Sequence, residues 1–340
     1  MIVAVGAPAV EQVPRTAAVK ALLKVDDLCV TFGESEDARR VVDKVSFQLA
    51  AGEILGLVGE SGSGKSVTAL SVTRLLPPGS AMIQGRILWG DEDLLAMDRR
   101  RIREVRGMEI GFVFQEPMSA LDPMLSLGKQ LTETVHAHVK VTRKIATKRS
   151  AEILAEVGFD DVPRAMKQYP HELSGGMRQR AMIAIALVCG PKLVIADEPT
   201  TALDVSLQAQ VLDLLKKLAN EHGTSLLLIT HDLGVVSQFC DRVVAMYRGR
   251  VVEEGSTDEV TRLPKHSHTR ALAAATPRLG GWDPAESERA IAVAMAQVCE
   301  SCAAGKATDD SGFHQVSPTH RYRCLRFLDD TSTPKVGETA

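Results

Sequence analysis

The sequence predicts an α/β protein built on a parallel sheet with crossover helices. Three short apolar runs, at residues 54–58, 193–196 and 226–229, have the length and composition of buried strands. A helix-periodic segment, 207–218, separates the second run from the third, and this alternation is typical of parallel strands joined by helices. A glycine-rich turn directly after the first run indicates a ligand-binding edge of that sheet.

Composition narrows the functional classes. The chain has 340 residues, 40 Lys+Arg against 43 Asp+Glu, a net charge of −3 and 45% hydrophobic residues. This balance argues against a nucleic-acid-binding surface and against a disordered chain. The longest apolar stretch, 181–189, is shorter than the roughly 18 residues that a membrane-spanning helix needs. The N-terminus has no basic region before its apolar residues, so we expect a cytosolic location.

Changes of pattern along the chain suggest three parts. Residues 1–21 are expected to form a flexible N-terminal tail, residues 22–262 the main domain, and residues 263–340 a loosely ordered C-terminal extension. Within the main domain, helical periodicity replaces strand signals between about 116 and 188, which predicts an inserted helical subdomain. The first helix is expected to run from Lys65 to just before Pro77.

The glycine-rich turn has the pattern of a phosphate-binding loop. Residues 59–66 match G-x-x-x-x-G-K-[S/T] between a predicted strand and a predicted helix, which is the context that the motif requires. Its N–H groups suit a polyphosphate, with Lys65 reaching the β and γ phosphates and Ser66 holding Mg²⁺. The alternative is a glycine-rich turn with a coincidental lysine. The candidate binding residues here are Gly59, Glu60, Ser61, Gly62, Ser63, Gly64, Lys65, Ser66 and Val67.

Two other predicted strands end in residues suited to phosphate chemistry. Asp197 and Glu198 follow the strand 193–196, where Asp197 would help to position Mg²⁺ and Glu198 would orient or deprotonate the attacking water. His231 follows the strand 226–229 closely enough to contact a γ phosphate. The alternative for each residue alone is a structural role.

A second glycine-containing turn lies in the predicted helical subdomain. Ser174, Gly175 and Gly176 precede a helix and offer free N–H groups with a capping hydroxyl. One nucleotide does not need two such loops from the same chain. We therefore expect this turn to close on a nucleotide held by a second chain, the alternative being a simple helix cap.

These motifs resemble, in order and spacing, those of ABC-transporter ATPases over residues 22–260. The resemblance implies a P-loop NTPase core of the RecA-like type with an antiparallel β edge, binding ATP and Mg²⁺ in a head-to-tail ATPase dimer. It also implies that Gln115 contacts Mg²⁺, that Asp204 couples the two sites in trans, and that Phe32 stacks on adenine, unless Phe32 is a core residue. Glu198, His231, Lys65 and Gln115 are then the catalytic residues.

Within that family, residues 114–118, 176–180 and 196–201 are similar to the D-type ATPase of peptide importers. This resemblance implies import of dipeptides or oligopeptides, with nickel chelates, glutathione or oligosaccharides as alternatives. It implies as partners an F-type ATPase paralogue, two transmembrane permease subunits and an extracytoplasmic binding protein, and a peripheral position on the cytoplasmic face of the inner membrane. The rivals are a soluble ABC ATPase acting on DNA or ribosomes and a non-hydrolysing scaffold subunit.

Three cysteines lie late in the chain, at Cys299, Cys302 and Cys324. Four tail cysteines occur in some peptide-importer ATPases, where they bind an iron–sulfur cluster. Here His314 or His320 would have to complete a site for a cluster or a zinc ion. The other interpretation is that the three cysteines are unligated thiols.

Overall fold

The computed structural model describes residues 21–33, 38–200, 204–275 and 312–323, together with the single positions 289 and 293. Most of the predicted N-terminal tail and much of the extension therefore lie outside the described residues. No helix in the described part of the chain is both long enough and apolar enough to cross a bilayer. The sequence indicates a ligand-binding edge of the sheet, and this edge is formed by the start of the first helix and the ends of the neighbouring strands.

The larger sheet contains the three predicted buried strands at its centre. Its strands are β3 (Ile54–Val58), β6 (Ile110–Val113), β7 (Leu193–Asp197), β8 (Ser225–Thr230), β9 (Arg242–Tyr247), β10 (Arg250–Ser256), β11 (Phe313–Gln315) and β12 (Arg321–Arg323). Their spatial order is β11-β12-β10-β9-β3-β8-β7-β6. The five strands from β9 to β6 are parallel, whereas β10, β12 and β11 pair antiparallel. Every residue of β3, β7 and β8 is buried, which is typical of parallel strands covered on both faces.

A smaller antiparallel sheet covers one face of the larger sheet. It consists of β1 (Ala21–Phe32), β2 (Arg39–Ala50), β4 (Ala81–Trp89) and β5 (Glu92–Asp93), in the order β2-β1-β4-β5. Leu23, Val25 and Phe47 of this sheet pack with Leu55 and Leu57 of β3 in one apolar core. The antiparallel β edge that the resemblance implies is therefore a separate sheet, which packs on the larger sheet.

Helices fill the remaining layers of the molecule. Those with described bounds are α1 (Lys65–Val72), α2 (Arg99–Met108), α3 (Pro117–Ala120), α4 (Leu127–His138), α5 (Arg143–Glu156), α6 (Val162–Ala165), α7 (Gly175–Leu187), α8 (Val205–His222), α9 (Leu233–Phe239), α10 (Thr257–Arg262) and α11 (Ser267–Ala275). In the chain between β6 and β7, all of it described, the regular elements are helices joined by loops, and one of them is a 3₁₀ turn. Leu131, Leu154 and Ile183 from three of these helices form a core against β6, β7 and α8.

The first helix is shorter than the sequence indicates. It ends at Val72, and Arg74 takes a left-handed conformation with φ of 50°. The Arg74 guanidinium donates hydrogen bonds to the carbonyls of Leu94 and Met97, at 3.2 and 2.6 Å, which holds the chain in this turn. The prediction that the helix continues to Pro77 is wrong because a tertiary contact ends the helix first.

The described part of the C-terminal extension is firmly attached to the larger sheet. Glu253, fully buried in β10, accepts hydrogen bonds from the backbone N–H groups of Lys265 and His266, at 2.7 and 2.9 Å. Its carboxylate also lies 2.7 Å from Nε2 of His320, and β12 pairs directly with β10. The expectation of a loosely ordered extension is therefore wrong for residues 263–275 and 312–323.

Candidate functional site

Most of the residues predicted to bind phosphate or to act in catalysis lie at one edge of the parallel sheet. β3, β7 and β8 are adjacent and parallel, so the turns after them meet at the same edge. A cavity of about 630 Å³ opens there. The predicted residues that line it are Glu60, Ser61, Gly62, Gly64, Lys65, Ser66, Val67, Gln115, Glu198 and His231.

The phosphate-binding turn is closely enclosed by its own chain. Gly64 has a φ of 97°, and a Cβ there would lie 2.9 Å from the Val41 carbonyl oxygen. A Cβ on Gly59 would clash with the carbonyl oxygen of Met246 in β9. Only glycine satisfies both the backbone angle and the space at Gly64.

Lys65 is the buried cation of this turn. Its Nζ donates hydrogen bonds to the carbonyl oxygens of Gly59 and Glu60, at 2.7 and 2.8 Å. Burial lowers the pKa of Lys65, while the carboxylates of Glu198, Asp197 and Glu60 act in the opposite direction. The ammonium is thus held inside the turn, near the carboxylates at the end of β7.

Ser66 and Asp197 are brought together by the first turn of α1 and the end of β7. Ser66 Oγ donates a hydrogen bond of 3.0 Å to Asp197 Oδ1. Burial raises the pKa of Asp197 and neighbouring Glu198 adds to this rise, while the Ser66 hydrogen bond and the charge of Lys65 lower it. A hydroxyl and a desolvated carboxylate in contact fit Mg²⁺, which takes few protein oxygens beside substrate phosphates and waters.

Glu198, which follows β7, contacts residues at the ends of β6 and β8. Its backbone has a φ of 44°, unusual for a residue other than glycine, and its N–H donates to the Ile229 carbonyl of β8 at 2.9 Å. Gln115 Nε2 donates a hydrogen bond of 3.2 Å to Glu198 Oε2. His231 Nδ1 lies 3.5 Å from Glu198 Oε1, with 63% of the His231 side chain exposed. The strained backbone therefore directs the carboxylate between an amide and an imidazole.

The Ser174 turn lies outside this cavity. Ser174 caps α7, and its Oγ accepts a hydrogen bond from the N–H of Met177 at 3.3 Å. A Cβ on Gly175 would have no atom within 4 Å, whereas a Cβ on Gly176 would lie 2.8 Å from the Leu207 side chain. Asp204 similarly caps α8 by accepting from the N–H of Leu207 at 2.9 Å. Within one chain, these turns and the cavity remain separate.

Comparison with known proteins gives the family of this chain. The family model described as ABC transporter matches residues 42–201. The peptidoglycan transport ATP-binding protein YejF of Agrobacterium fabrum is 48% identical over 81% of this chain, which spans 50% of that protein's length. The probable peptide ABC transporter ATP-binding protein y4tR of Sinorhizobium fredii is 42% identical over 90% of this chain and 95% of its own. The chain belongs to the ABC transporter ATP-binding family.

A solved ABC cassette supports the same assignment. The dimeric ATP-binding cassette MJ0796, in a post-hydrolysis state bound to ADP and Pi, is similar with a TM-score of 0.62 and 28% identity. The match covers 69% of this chain and 98% of that cassette. The predicted family, the P-loop NTPase fold and the ATPase activity are therefore confirmed, and ATP is the nucleotide.

One residue expected from the resemblance, Phe32, lies outside the cavity lining of this ABC cassette. Phe32 is half-buried at the end of β1 and packs against the core of the smaller sheet, and it does not line the cavity. The cavity instead includes Val41 of β2 and Ala271, Leu272 and Ala275 of α11. Sequence reasoning did not predict that α11 lines the cavity, because its apolar side chains carry no chemical motif.

The tail cysteines of the ABC cassette lie outside the described residues. Of the two histidines considered as further ligands, His320 places Nε2 2.7 Å from the buried Glu253 carboxylate. The ring of His314 packs 5.3 Å from that of Tyr322. Within the described ranges no three His, Cys, Asp or Glu side chains form a metal-binding group. Cys29, Cys189 and Cys240, which are described, are free thiols.

Proposed function

We propose that this chain hydrolyses ATP to power the import of dipeptides or oligopeptides through partner membrane subunits. The observation that carries the enzymatic part is that Lys65, Ser66, Glu198 and His231 line one cavity. Asp197 joins them through its hydrogen bond with Ser66. Support for peptides comes from relatives such as the oligopeptide transport ATP-binding protein AppD of Bacillus subtilis, 48% identical over 76% of this chain and 80% of its own. Nickel chelates, glutathione and oligosaccharides are the alternative cargoes.

Phosphate binding is the task of the turn after β3. Its N–H groups and the N-terminus of α1 surround a polyphosphate, and Lys65 adds a charge close to the γ phosphate. Ser66 and Asp197 would hold Mg²⁺, with Gln115 as a further contact. When bound, Mg²⁺ neutralises charge on the β and γ phosphates. The charges of the phosphates and of Mg²⁺ would offset the desolvation cost of the buried Lys65 and Asp197.

Hydrolysis is the task of the residues that follow β7 and β8. The Glu198 carboxylate orients the attacking water and accepts its proton. His231 donates a hydrogen bond to the γ phosphate in this proposal, which is supported by its position in the cavity lining and by its exposed ring near Glu198. Gln115 donates to the other Glu198 oxygen, so it keeps the carboxylate from rotating away.

The ATPase site is completed in trans. The exposed Ser174 turn and Asp204 lie outside the cavity of their own chain, so we assign them to a nucleotide held by a second ATPase subunit. That subunit is an F-type paralogue, arranged head to tail. The remaining partners are two transmembrane permease subunits and an extracytoplasmic binding protein, with this chain peripheral on the cytoplasmic face of the inner membrane.

Closure of the two ATPases supplies the work of transport. A hydrogen bond to a charged group contributes about 1.5–3 kcal/mol. A few such bonds from the Ser174 turn to the γ phosphate approach the roughly 5.5 kcal/mol that moves a two-state equilibrium from 1:99 to 99:1. Hydrolysis removes these bonds, and the membrane subunits return to their first state.

Co-purification tests this function against its rivals. Affinity purification of the full chain from membranes should recover two multi-span proteins and a second ATPase. ATP hydrolysis by the reconstituted complex should rise when a peptide-loaded binding protein is added. Recovery with ribosomes or DNA instead would favour the soluble ABC ATPase, and stimulation by another cargo would replace peptides.

Unligated thiols are the better assignment for Cys299, Cys302 and Cys324. They are three thiols where a cluster takes four ligands, and His320 already shares a hydrogen bond with Glu253. Iron and sulfide analysis of anaerobically purified protein should find neither element. Stoichiometric iron and sulfide would contradict this assignment.

A further inference from the structure

The ATP cavity has an apolar side that the nucleotide motifs do not explain. Next to the phosphate-binding turn, part of the lining is formed by Val41 and by Ala271, Leu272 and Ala275 of α11. Helix α11 lies beyond residues 42–201, which are the part of the chain that the family model matches. The C-terminal extension therefore contributes surface to the ATP site.

Helix α11 is fixed against the phosphate-binding turn. His268 is fully buried, with Nδ1 3.6 Å from Glu60 Oε1 of that turn. Its ring centroid lies 4.3 Å from that of Tyr247, at the end of the strand next to β3. Because Glu60 also lines the cavity, any displacement of α11 would change the cavity's shape.

The start of α11 is held by a second, separate contact. Glu253 of β10 accepts from the N–H groups of Lys265 and His266, just before the helix. Arg270 Nε donates to the Pro264 carbonyl at 3.0 Å, which closes the same turn. The wall formed by α11 is thus preformed by the fold, as binding cavities usually are.

The chemistry of the wall indicates which part of ATP it contacts. Phosphates require N–H donors and cations, which are on the turn side of the cavity. Methyl and isobutyl side chains offer neither, but they suit the flat apolar surface of a nucleobase and the carbon face of a ribose. We propose that α11 forms the nucleoside-facing wall of the ATP site, with Leu272 and Ala275 in contact with the nucleoside.

This proposal rests on ATP binding in the cavity, and labelling tests it without disturbing the core. Ala275 is exposed, so a cysteine is tolerated there, and the matched control is Ala155→Cys on the exposed face of α5. At an ATP concentration about ten times Kd, maleimide labelling of Ala275→Cys should slow about tenfold. Labelling at the control position should not change, with each site followed by peptide mass.

Inorganic tripolyphosphate separates the nucleoside from the phosphates. It occupies the turn after β3 but carries no base or ribose, so it should leave labelling of Ala275→Cys nearly unchanged. Equal protection by tripolyphosphate and ATP would overturn the proposal, because α11 would then face phosphate. Unchanged labelling while calorimetry shows bound ATP would also overturn it, whereas absence of ATP binding would overturn the proposed function as well.

Shortening a side chain of the α11 wall tests how much this wall contributes to ATP affinity. Leu272→Ala removes apolar surface from the nucleoside side, so Kd for ATP should rise about tenfold while Kd for tripolyphosphate stays the same. Leu272→Met keeps the volume and should bind ATP nearly as the unmodified chain does, which controls for folding at this buried position. A parallel loss of both ligands in Leu272→Ala, or no loss of either, would contradict a nucleoside contact.

Discussion

Two glycine-rich turns at helix N-termini have opposite surroundings in this molecule. In the turn at 59–66, Gly64 has a φ of 97° and faces the Val41 carbonyl, and the turn is backed by α11. In the turn at 174–176, Ser174 and Gly175 are exposed, and a Cβ on Gly175 would meet no atom within 4 Å. The first turn is shaped by its own chain, and the second leaves space for another molecule.

The comparison separates two reasons for a glycine. Gly64 is required by the backbone angle and by a close contact, so the fold itself needs it. Neither the backbone angle nor a close contact requires glycine at position 175. We therefore infer that glycine is needed there for the approach of a ligand or partner. Gly176 is a third case, because a Cβ there would lie 2.8 Å from Leu207 and would disturb the packing of α7 on α8.

The largest expected effect concerns the chemistry beside the first turn. Glu198→Gln keeps the shape of the side chain but removes the proton acceptor, so turnover should fall about 10²–10⁴-fold while ATP binding is retained. Glu116→Gln, a nearby exposed carboxylate that does not line the cavity, is the matched control. Phosphate release and ATP binding are the measurements, and unchanged turnover in Glu198→Gln would refute the role of this residue.

Gly64→Ala tests the enclosed turn. The added methyl group must lie 2.9 Å from the Val41 carbonyl oxygen in a left-handed backbone, so the free energy of unfolding should fall by about 1–3 kcal/mol. The turn would also shift away from its phosphate-binding geometry, so ATP affinity should drop. Denaturant unfolding and calorimetry measure the two effects, and wild-type values for both would show that the turn is not constrained.

Gly175→Ala tests the open turn and should have the opposite effect on stability. Alanine favours helix over glycine by about 1 kcal/mol and meets no atom here, so the free energy of unfolding should be unchanged or slightly higher. Turnover of the assembled complex should nevertheless fall, because the methyl group would intrude on a nucleotide across the dimer. Wild-type turnover in the complex would indicate that this turn is only a helix cap.

Much of the site could be predicted because its chemistry is local in sequence. The turn that ends in Lys65 follows β3, Asp197 is the last residue of β7, and Glu198 and His231 follow β7 and β8 directly. Parallel strands bring such positions to one edge. The same logic does not extend to long-range contacts. Nothing in the sequence near Leu70 shows that Arg74 will donate hydrogen bonds to carbonyls 20 and 23 residues away and end α1.

The extension shows a second limit of sequence reasoning. Its small residues and breaks predict a loose segment, yet the buried Glu253 carboxylate gathers two backbone N–H groups and the imidazole of His320. A lone glutamate in a strand carries no sign of such partners. By contrast, the position of β4 can be predicted from the sequence, because Ile83, Ile87 and Trp89 lie at alternate positions, as is typical of a strand.

The smallest expected effect is a pH dependence of the contact that backs the first turn. Burial lowers the pKa of His268 to about 4 and that of His266 to about 3, from an ordinary value of 6.5. Lys65 next to His268, and Arg270 next to His266, act in the same direction. Between pH 6.5 and about 4, these two imidazoles are therefore protonated in the unfolded chain but largely neutral in the folded chain.

The stabilisation from neutral His268 is complete above its ordinary pKa and is lost as the pH falls toward 4. Neither ring nitrogen has a hydrogen-bond partner among the described residues, so His268→Phe should preserve stability at neutral pH. The free energy of unfolding of the variant should fall less steeply with acid than that of the unmodified chain. Parallel pH profiles from denaturant titrations would mean that His268 is not buried as a neutral ring, and that α11 does not support the turn in this way.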